Sequence, residues 1–285
     1  MPSPPDQTIH PVWVVTGASS GIGQAIALEA VRSLNAIVFA IGRNEEALRS
    51  VAKAGCRIIH LDIASPAEAS IAAVNDIVTS VGRIDVLVNA AGYLLEGSFE
   101  ETSDEEAMDV FQTNFFGPLR LTRAVLPHMR RAGSGAIFNV AGIAAYSGSP
   151  NAGLYCATKA AITSLTEALQ AETDALGVRV CLVQLGHFRT AFLTRGHRLR
   201  IVGHIDAYDG VLDPLRKAFN GLNGAQPGDP LKAARVLVGL AAGEARSIPF
   251  FLPLGPDVPL AMQRAYEARV EGYTRCERLT HSTNL

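Results

Sequence analysis

With 285 residues, 48% of them apolar and 18% charged, the chain can bury a core of ordinary size, and its length allows either one large domain or two small ones. A formal net charge of -2 gives no general attraction to a phosphate backbone, which argues against nucleic-acid binding. No run approaches the roughly 18 uninterrupted apolar residues that cross a bilayer, the polar, Pro-rich start at 1–11 has neither signal nor transit character, and the scattered Cys56, Cys156, Cys181 and Cys276 form no metal spacing. The expectation is a soluble cytoplasmic protein with reduced thiols and no membrane partner.

In chain order, short apolar runs at 12–16, 36–41, 57–61, 86–89, 136–140, 178–185 and 248–252 alternate with longer helical stretches. The runs are continuously apolar, as expected of strands covered by helices on both faces. This predicts an α/β fold, a single Rossmann-type doubly wound parallel sheet of about seven strands in one domain spanning 1–285. Residues 1–11 read as an N-terminal extension and 256–285 as a C-terminal helical tail. Between 191 and 229 Gly, His, Arg and Asp mix without clear period, which reads as an excursion covering a substrate site or as a plain surface loop. It ends at Asp229-Pro230, an N-cap followed by proline at the first helical position.

A doubly wound sheet binds ligands beyond the carboxyl ends of its strands, so the residues just after each run are the candidates. The first strand enters Thr16-Gly17-Ala18-Ser19-Ser20-Gly21-Ile22-Gly23 and then an amphipathic helix. Glycines there let the backbone and a helix N-terminus approach a pyrophosphate, so Gly17, Ser19, Ser20, Gly21, Ile22 and Gly23 are cofactor candidates. After the second strand stands Arg43, where an NAD site favours an acid; its guanidinium can pair with a 2′-phosphate, which points to NADP(H) over NAD(H). Asp62 and Ile63 follow the third strand, with Asp62 placed for an adenine amino group. Asn89, Ala90 and Gly92 follow the fourth, offering small side chains beside the cofactor and an amide to brace the sheet.

Tyr155 and Lys159 open a long helical stretch, and their spacing of four puts them on one face. An ammonium beside a phenol lowers the phenol's pKa from near 10, so the pair can exchange a proton with a carbonyl or alcohol.

With the Asn-Ala-Ala-Gly segment and Asn114 in the same order, these motifs resemble the classical short-chain dehydrogenase/reductase family over nearly the whole chain. The resemblance implies a nicotinamide-dependent oxidoreductase. In it Tyr155 is the general acid–base, Lys159 binds the nicotinamide ribose and tunes Tyr155, and Asn114 supports a proton-relaying water. The segment Leu185-Gly186-His187-Phe188-Arg189-Thr190 resembles the family's Pro-Gly segment, with Phe188 and Thr190 beside the nicotinamide and Leu185 where proline is usual. The resemblance also implies a homodimer or homotetramer through helices at 108–131 and 154–175.

One departure bears on chemistry: the family's catalytic serine falls at Gly142, preceded by Ala141, so neither position has a hydroxyl. Ser147 and Ser149 lie further along the loop. Tyr93, Leu94, Leu95, Tyr146, Phe188, Phe192 and Leu193 fall where the resemblance places the substrate cleft, and they suit a bulky hydrophobic small molecule; each also reads as core. Arg195, His197, Arg198 and Arg200 form a basic cluster that reads either as a contact for an acidic substrate group or, by default, as a solvated surface, and the histidines show no metal spacing. The style of the motifs is similar to fungal members acting on polyketides or terpenoids in secondary metabolism. Three readings stay open: an NADPH-dependent ketone reductase or alcohol dehydrogenase, a non-redox enzyme of the same fold (cyclisation, dehydration or isomerisation) with Gly142 admitting a large substrate, and a cofactor sensor.

Overall fold

Trp13 and Val15 face one side of the first strand and Val12 and Val14 the other, and all are buried, so this strand must lie mid-sheet with helices on both faces. In the computed structural model, which describes residues 10–243 and 248–284, the chain runs β1 (Val12–Thr16), α1 (Gly21–Leu34), β2 (Ile37–Gly42), α2 (Glu45–Lys53), β3 (Arg57–His60), α3 (Ala67–Val81), β4 (Val86–Asn89), β5 (Leu94–Glu96), α4 (Asp104–Phe111), α5 (Gly117–Ala132), β6 (Gly135–Val140), α6 (Gly153–Thr173), β7 (Val178–Leu185), β8 (Arg198–Arg200), α7 (Asp209–Leu222), α8 (Pro230–Ala242), β9 (Phe251–Leu254) and α9 (Val258–His281). Most of the predicted N-terminal extension, residues 1–9, lies outside the described residues.

Seven strands form one parallel sheet in the order β3-β2-β1-β4-β6-β7-β9, the doubly wound architecture expected from the sequence. Strand succession reverses direction between β1 and β4, which opens a crevice beyond their carboxyl ends. One face packs Trp13, Val38, Leu48, Phe138 and Leu237 in a core that α1 and α8 cover. The other packs Val14, Leu87, Leu121, Ile137 and Leu169 under α3, α5 and α6. The last predicted strand starts three residues later than expected, at Phe251; as a sheet edge it accommodates Pro253, whose missing N–H has no outer strand to meet. Among the described residues no helix is long and apolar enough to cross a membrane.

The excursion departs most from expectation. Its 14-residue helix α7 contains Gly210, Pro214 and Gly221, poor helix formers that hide the period from sequence reading. Before it, β8 pairs in parallel with β5, with Leu94 opposite Arg198. Three acids on the β5–α4 segment hold this region. Glu96, 0% exposed, contacts Arg198 Nε at 2.8 Å and Arg200 Nε at 3.6 Å and accepts from Asn151 Nδ2 at 2.9 Å. Glu101 accepts from the Ile205 amide at 2.9 Å, and Glu106 from the Val202 amide at 2.8 Å. Arg198 is thus a buried ion-pair partner and not a solvated cation: its guanidinium also donates to Asn220 Oδ1 at 2.7 Å and lies over the Phe219 ring. Asp229 caps α8 by accepting from the Leu231 and Lys232 amides.

Because Arg198 keeps its charge when its partner is removed, Glu96→Ala leaves a buried cation and a buried amide unpaired. The expected loss is about 3–5 kcal/mol of unfolding free energy, read as a fall in the urea midpoint; an unchanged midpoint would contradict the assignment.

Candidate active site

The crevice holds a cavity of about 740 Å³ that runs from the glycine-rich turn to the start of α6. Backbone crowding explains the glycines. A Cβ on Gly23 would stand 2.5 Å from the Gly17 carbonyl oxygen and one on Gly17 2.9 Å from Ala91 Cα, and Gly17 also has a φ of 66°. Thr16 ties this turn to the next one: its Oγ1 accepts from the amides of Ala90 (3.0 Å) and Ala91 (3.1 Å) and donates to the Val88 carbonyl (3.3 Å). No side chain caps the N-terminus of α1, because the Ser20 hydroxyl meets His197 Nε2 instead at 3.1 Å. Free helix amides, bare glycine backbone and no acid in the first turn form an anion cradle. Ser19, Gly21 and Ile22 line it as expected.

Arg43, Asp62 and Ile63 line the same end of the cavity. Arg43 and Asp62 are 3.7 Å apart, but with side chains 62% and 41% exposed this contact is worth at most about 1 kcal/mol, so the guanidinium stays available to a phosphate. Ala90 and Gly92 line the cavity too. Asn89 stands behind its wall: its Nδ2 donates to Asn139 Oδ1 (2.8 Å) and Thr122 Oγ1 (3.2 Å), and Asn139 in turn donates to Thr166, a buried polar rung across β4, β6, α5 and α6.

Tyr155 and Lys159 meet at the cavity floor on one face of α6, with Lys159 Nζ 5.8 Å from the tyrosine ring centroid. The ammonium donates to the Val140 carbonyl at 2.9 Å, and burial draws its pKa down to about 8. The Tyr155 phenol is pushed up, by burial first and by neighbouring Cys156 second, opposite to the direction expected from the lysine alone. Desolvation therefore outweighs the ammonium, which is committed to Val140 and not to the phenol oxygen.

Asn114 is buried just behind Gly92 and makes no part of the cavity surface. It sits in a single π-helical turn, Gln112–Phe116, between α4 and α5. Its Oδ1 accepts from the Tyr93 amide (3.0 Å), and its Nδ2 donates to the Tyr93 carbonyl (2.9 Å) and Thr158 Oγ1 (3.2 Å). A Cβ on Gly92 would lie 3.0 Å from Asn114 Oδ1 and 3.7 Å from Lys159 Nζ, so this glycine keeps open the space between them. An inserted π turn adds a residue without changing the apolar period, and the sequence carries no sign of it.

At the substrate end, Gly142 and the loop serines Ser147 and Ser149 line the cavity. A Cβ on Gly142 would approach the Leu185 carbonyl oxygen to 3.0 Å, so a serine there requires the ends of β6 and β7 to give slightly. Tyr93, Leu94, Phe188, Phe192 and Leu193 also line the cavity, Thr190 lines it beside the glycine-rich turn, 3.4 Å from where a Cβ on Gly21 would stand, and the Phe192 and Tyr155 ring centroids are 5.9 Å apart. Leu95 instead packs against Val110 and Ile201 beneath the excursion. Tyr146 is a correction: the 3-10 turn Ile143–Ala145 directs it into a separate, smaller cavity under α9, where its hydroxyl is buried and has no hydrogen-bond partner among the described residues.

His197, named in the sequence only within a basic cluster, lines the cavity, and sequence reading missed Phe219 of the excursion and one face of α9. Burial first, then Arg43, lowers the His197 pKa. The only sequence signal for the α9 face is the spacing of Ala261, Arg264, Ala265 and Ala268.

A family model described as short chain dehydrogenase matches residues 11–198 of the chain. A 3-ketodihydrosphingosine reductase of Bacteroides thetaiotaomicron is 34% identical over 72% of this chain and 74% of its own length; oxidoreductases of the fungi Passalora fulva and Penicillium decumbens are further relatives. Among solved structures, a short-chain dehydrogenase from Streptomyces avermitilis aligns with a TM-score of 0.86 at 35% identity, covering 97% of this chain and 99% of that one. A metagenomic short-chain oxidoreductase in complex with NADP aligns with a TM-score of 0.68 at 26% identity, over 87% and 98%. With its doubly wound sheet, glycine-rich cradle and Tyr155/Lys159 pair, the chain belongs to the short-chain dehydrogenase family of oxidoreductases.

Proposed function

We propose that the protein is an NADP(H)-dependent ketone reductase or alcohol dehydrogenase for a bulky hydrophobic small molecule such as a polyketide or terpenoid intermediate. The observation that carries this reading is a continuous cavity joining the anion cradle to the Tyr155/Lys159 face of α6. The α1 N-terminus with Gly17, Gly21 and Gly23 would hold the pyrophosphate, Arg43 the 2′-phosphate, Asp62 the adenine amino group, and Ala90, Gly92, Phe188 and Thr190 the nicotinamide end. Bound there, NADPH supplies the hydride. Tyr155, whose phenol burial keeps protonated, donates the proton to the carbonyl oxygen. Lys159 holds a positive charge below pH of about 8 and restores the proton from behind. Asn114 fixes the Tyr93 backbone and α6 around that relay. Apolar walls at Leu94, Phe192, Leu193 and Phe219 support the hydrophobic substrate class.

Tyr155→Phe keeps the ring and removes the proton donor. NADPH affinity by titration should persist, while turnover of a ketone at 340 nm falls about a hundred- to ten-thousandfold; undiminished turnover would overturn the assignment.

Arg43→Ala should weaken NADPH by about ten- to hundredfold, the worth of a charge-assisted contact of about 1.5–3 kcal/mol, and leave NADH nearly unchanged. Equal losses for both cofactors would show that Arg43 does not read the phosphate.

Gly142 favours the second, non-redox reading, because a reductase without a carbonyl-binding hydroxyl lacks a donor typically worth about a hundred- to thousandfold in rate. Gly142→Ser separates the two. A gain in kcat on small ketones with a loss on bulky ones supports the reductase with a widened site; no ketone consumed by either the unmodified protein or the variant supports non-redox chemistry.

A further inference from the structure

Charge is distributed unevenly along the cavity. Among the described residues its one lining carboxylate, Asp62, stands beside Arg43 at the end assigned to the adenosine. At the opposite end, α9 presents Ala261, Arg264, Ala265 and Ala268, whose i, i+3, i+4, i+7 spacing projects them together. Three of the four stop at a methyl group, and the fourth carries a guanidinium that forms no ion pair among the described residues.

The helix bearing this guanidinium is fastened to both loops of the reaction centre. Asp257, its N-cap residue, accepts from the His187 amide (2.9 Å) and contacts His187 Nδ1 (2.7 Å); burial would raise the Asp257 pKa, but these contacts win and lower it, so the carboxylate stays charged. Further along, Arg269 Nη2 donates to the Tyr146 carbonyl at 2.6 Å, and α9 packs on the 3-10 turn Ile143–Ala145 just after Gly142. Arg264 therefore extends from a fixed backbone at the substrate end. The same cavity carries an apolar cluster of Leu94, Phe192, Leu193 and Phe219 in its lining.

We infer that the substrate is an amphiphile bearing a carboxylate, which Arg264 binds at the α9 wall while the apolar body lies along Phe192, Leu193 and Phe219. A planar guanidinium matches a carboxylate in a bidentate fork. His187, another basic side chain of the lining, is occupied by Asp257, which leaves the Arg264 guanidinium to meet the anion. A guanidinium without a partner anion would otherwise be dehydrated beside an apolar wall once substrate fills the cavity. The alanines at 261, 265 and 268 leave room for the body to pass. The carbonyl at Tyr155 rests on the oxidoreductase reading; the carboxylate subsite does not.

The test uses the full chain with saturating NADPH. Turnover of medium-chain oxo acids is compared with that of their methyl esters, and binding of dodecanoate, dodecanol and dodecylamine is measured by calorimetry. In Arg264→Ala the acid-to-ester ratio of kcat/KM should fall about ten- to hundredfold, with dodecanoate affinity falling alike. Arg264→Lys should restore part of both, and Arg264→Glu should favour dodecylamine. Because Arg264 is exposed, thermal unfolding should be unchanged in all three, which separates loss of the subsite from loss of fold. Dodecanoate binding that depends on Arg264 with no oxo compound reduced would sustain the subsite and end the reductase reading. Turnover with an unchanged acid-to-ester ratio would end the subsite and leave the reductase reading standing.

Discussion

The hydroxyl of Thr16 organises the functional edge of the sheet. By accepting from two consecutive amides after β4 and donating to the Val88 carbonyl, it locks the turn after β1 to the turn after β4, on either side of the point where strand order reverses. A doubly wound sheet opens there whatever its sequence, but a crevice binds a dinucleotide only if both rims are set at one height. Gly17 then brings the rims as close as backbone atoms permit, since a Cβ there would meet Ala91 of the neighbouring turn, and Gly23 closes the first turn on itself, since a Cβ there would meet the Gly17 and Thr16 carbonyls. Fold and cradle are in this sense one structure.

Electrostatics at the floor of the cavity follow from burial more than from pairing. Both Tyr155 and Lys159 are driven towards their neutral forms, the phenol upward and the ammonium down to about 8. A phenol that stays protonated is a proton donor, and an amine near neutrality both takes and gives a proton, which suits replenishment. The lysine's bond to the Val140 carbonyl places the pair across the end of β6, the strand whose next loop carries Gly142. A shift at that strand end would disturb proton transfer and substrate space together.

What the sequence disclosed and what it hid divide along physical lines. Strands β1, β4 and β7 were readable to the residue, because short Val- and Leu-rich runs in a doubly covered sheet have few other solutions. The strand-turn-helix setting of the glycine turn and the placing of Tyr155 and Lys159 on one face of α6 were readable because local order and spacing alone define them. Helix α7 was not, since Pro214 and two glycines contradict its propensity and tertiary ties through Glu96, Glu101 and Glu106 override them. Those ties join residues about a hundred positions apart, which a local pattern does not record. The same is true of α9, whose lining face is defined only by what it packs against, and of Tyr146, whose direction is set by a single 3-10 turn.

Gly142 and α9 bear on one problem. Without a hydroxyl at that loop position, a carbonyl in the cavity has one fewer group to orient it, and a preorganised donor of this kind is worth about 2.7–4 kcal/mol to the transition state. Binding energy from parts of a substrate that do not react can substitute for local orientation, provided the enclosing walls are rigid enough to convert it into position. The α9 wall is held to the reaction centre at His187 and at Tyr146, so a group anchored on it is held relative to Tyr155 as well. An anchor there of about 1.5–3 kcal/mol, added to apolar contact along Phe192 and Phe219, is comparable with the missing donor. A site built in this way would be slow on small generic ketones and selective for long substrates that reach from the phenol to α9.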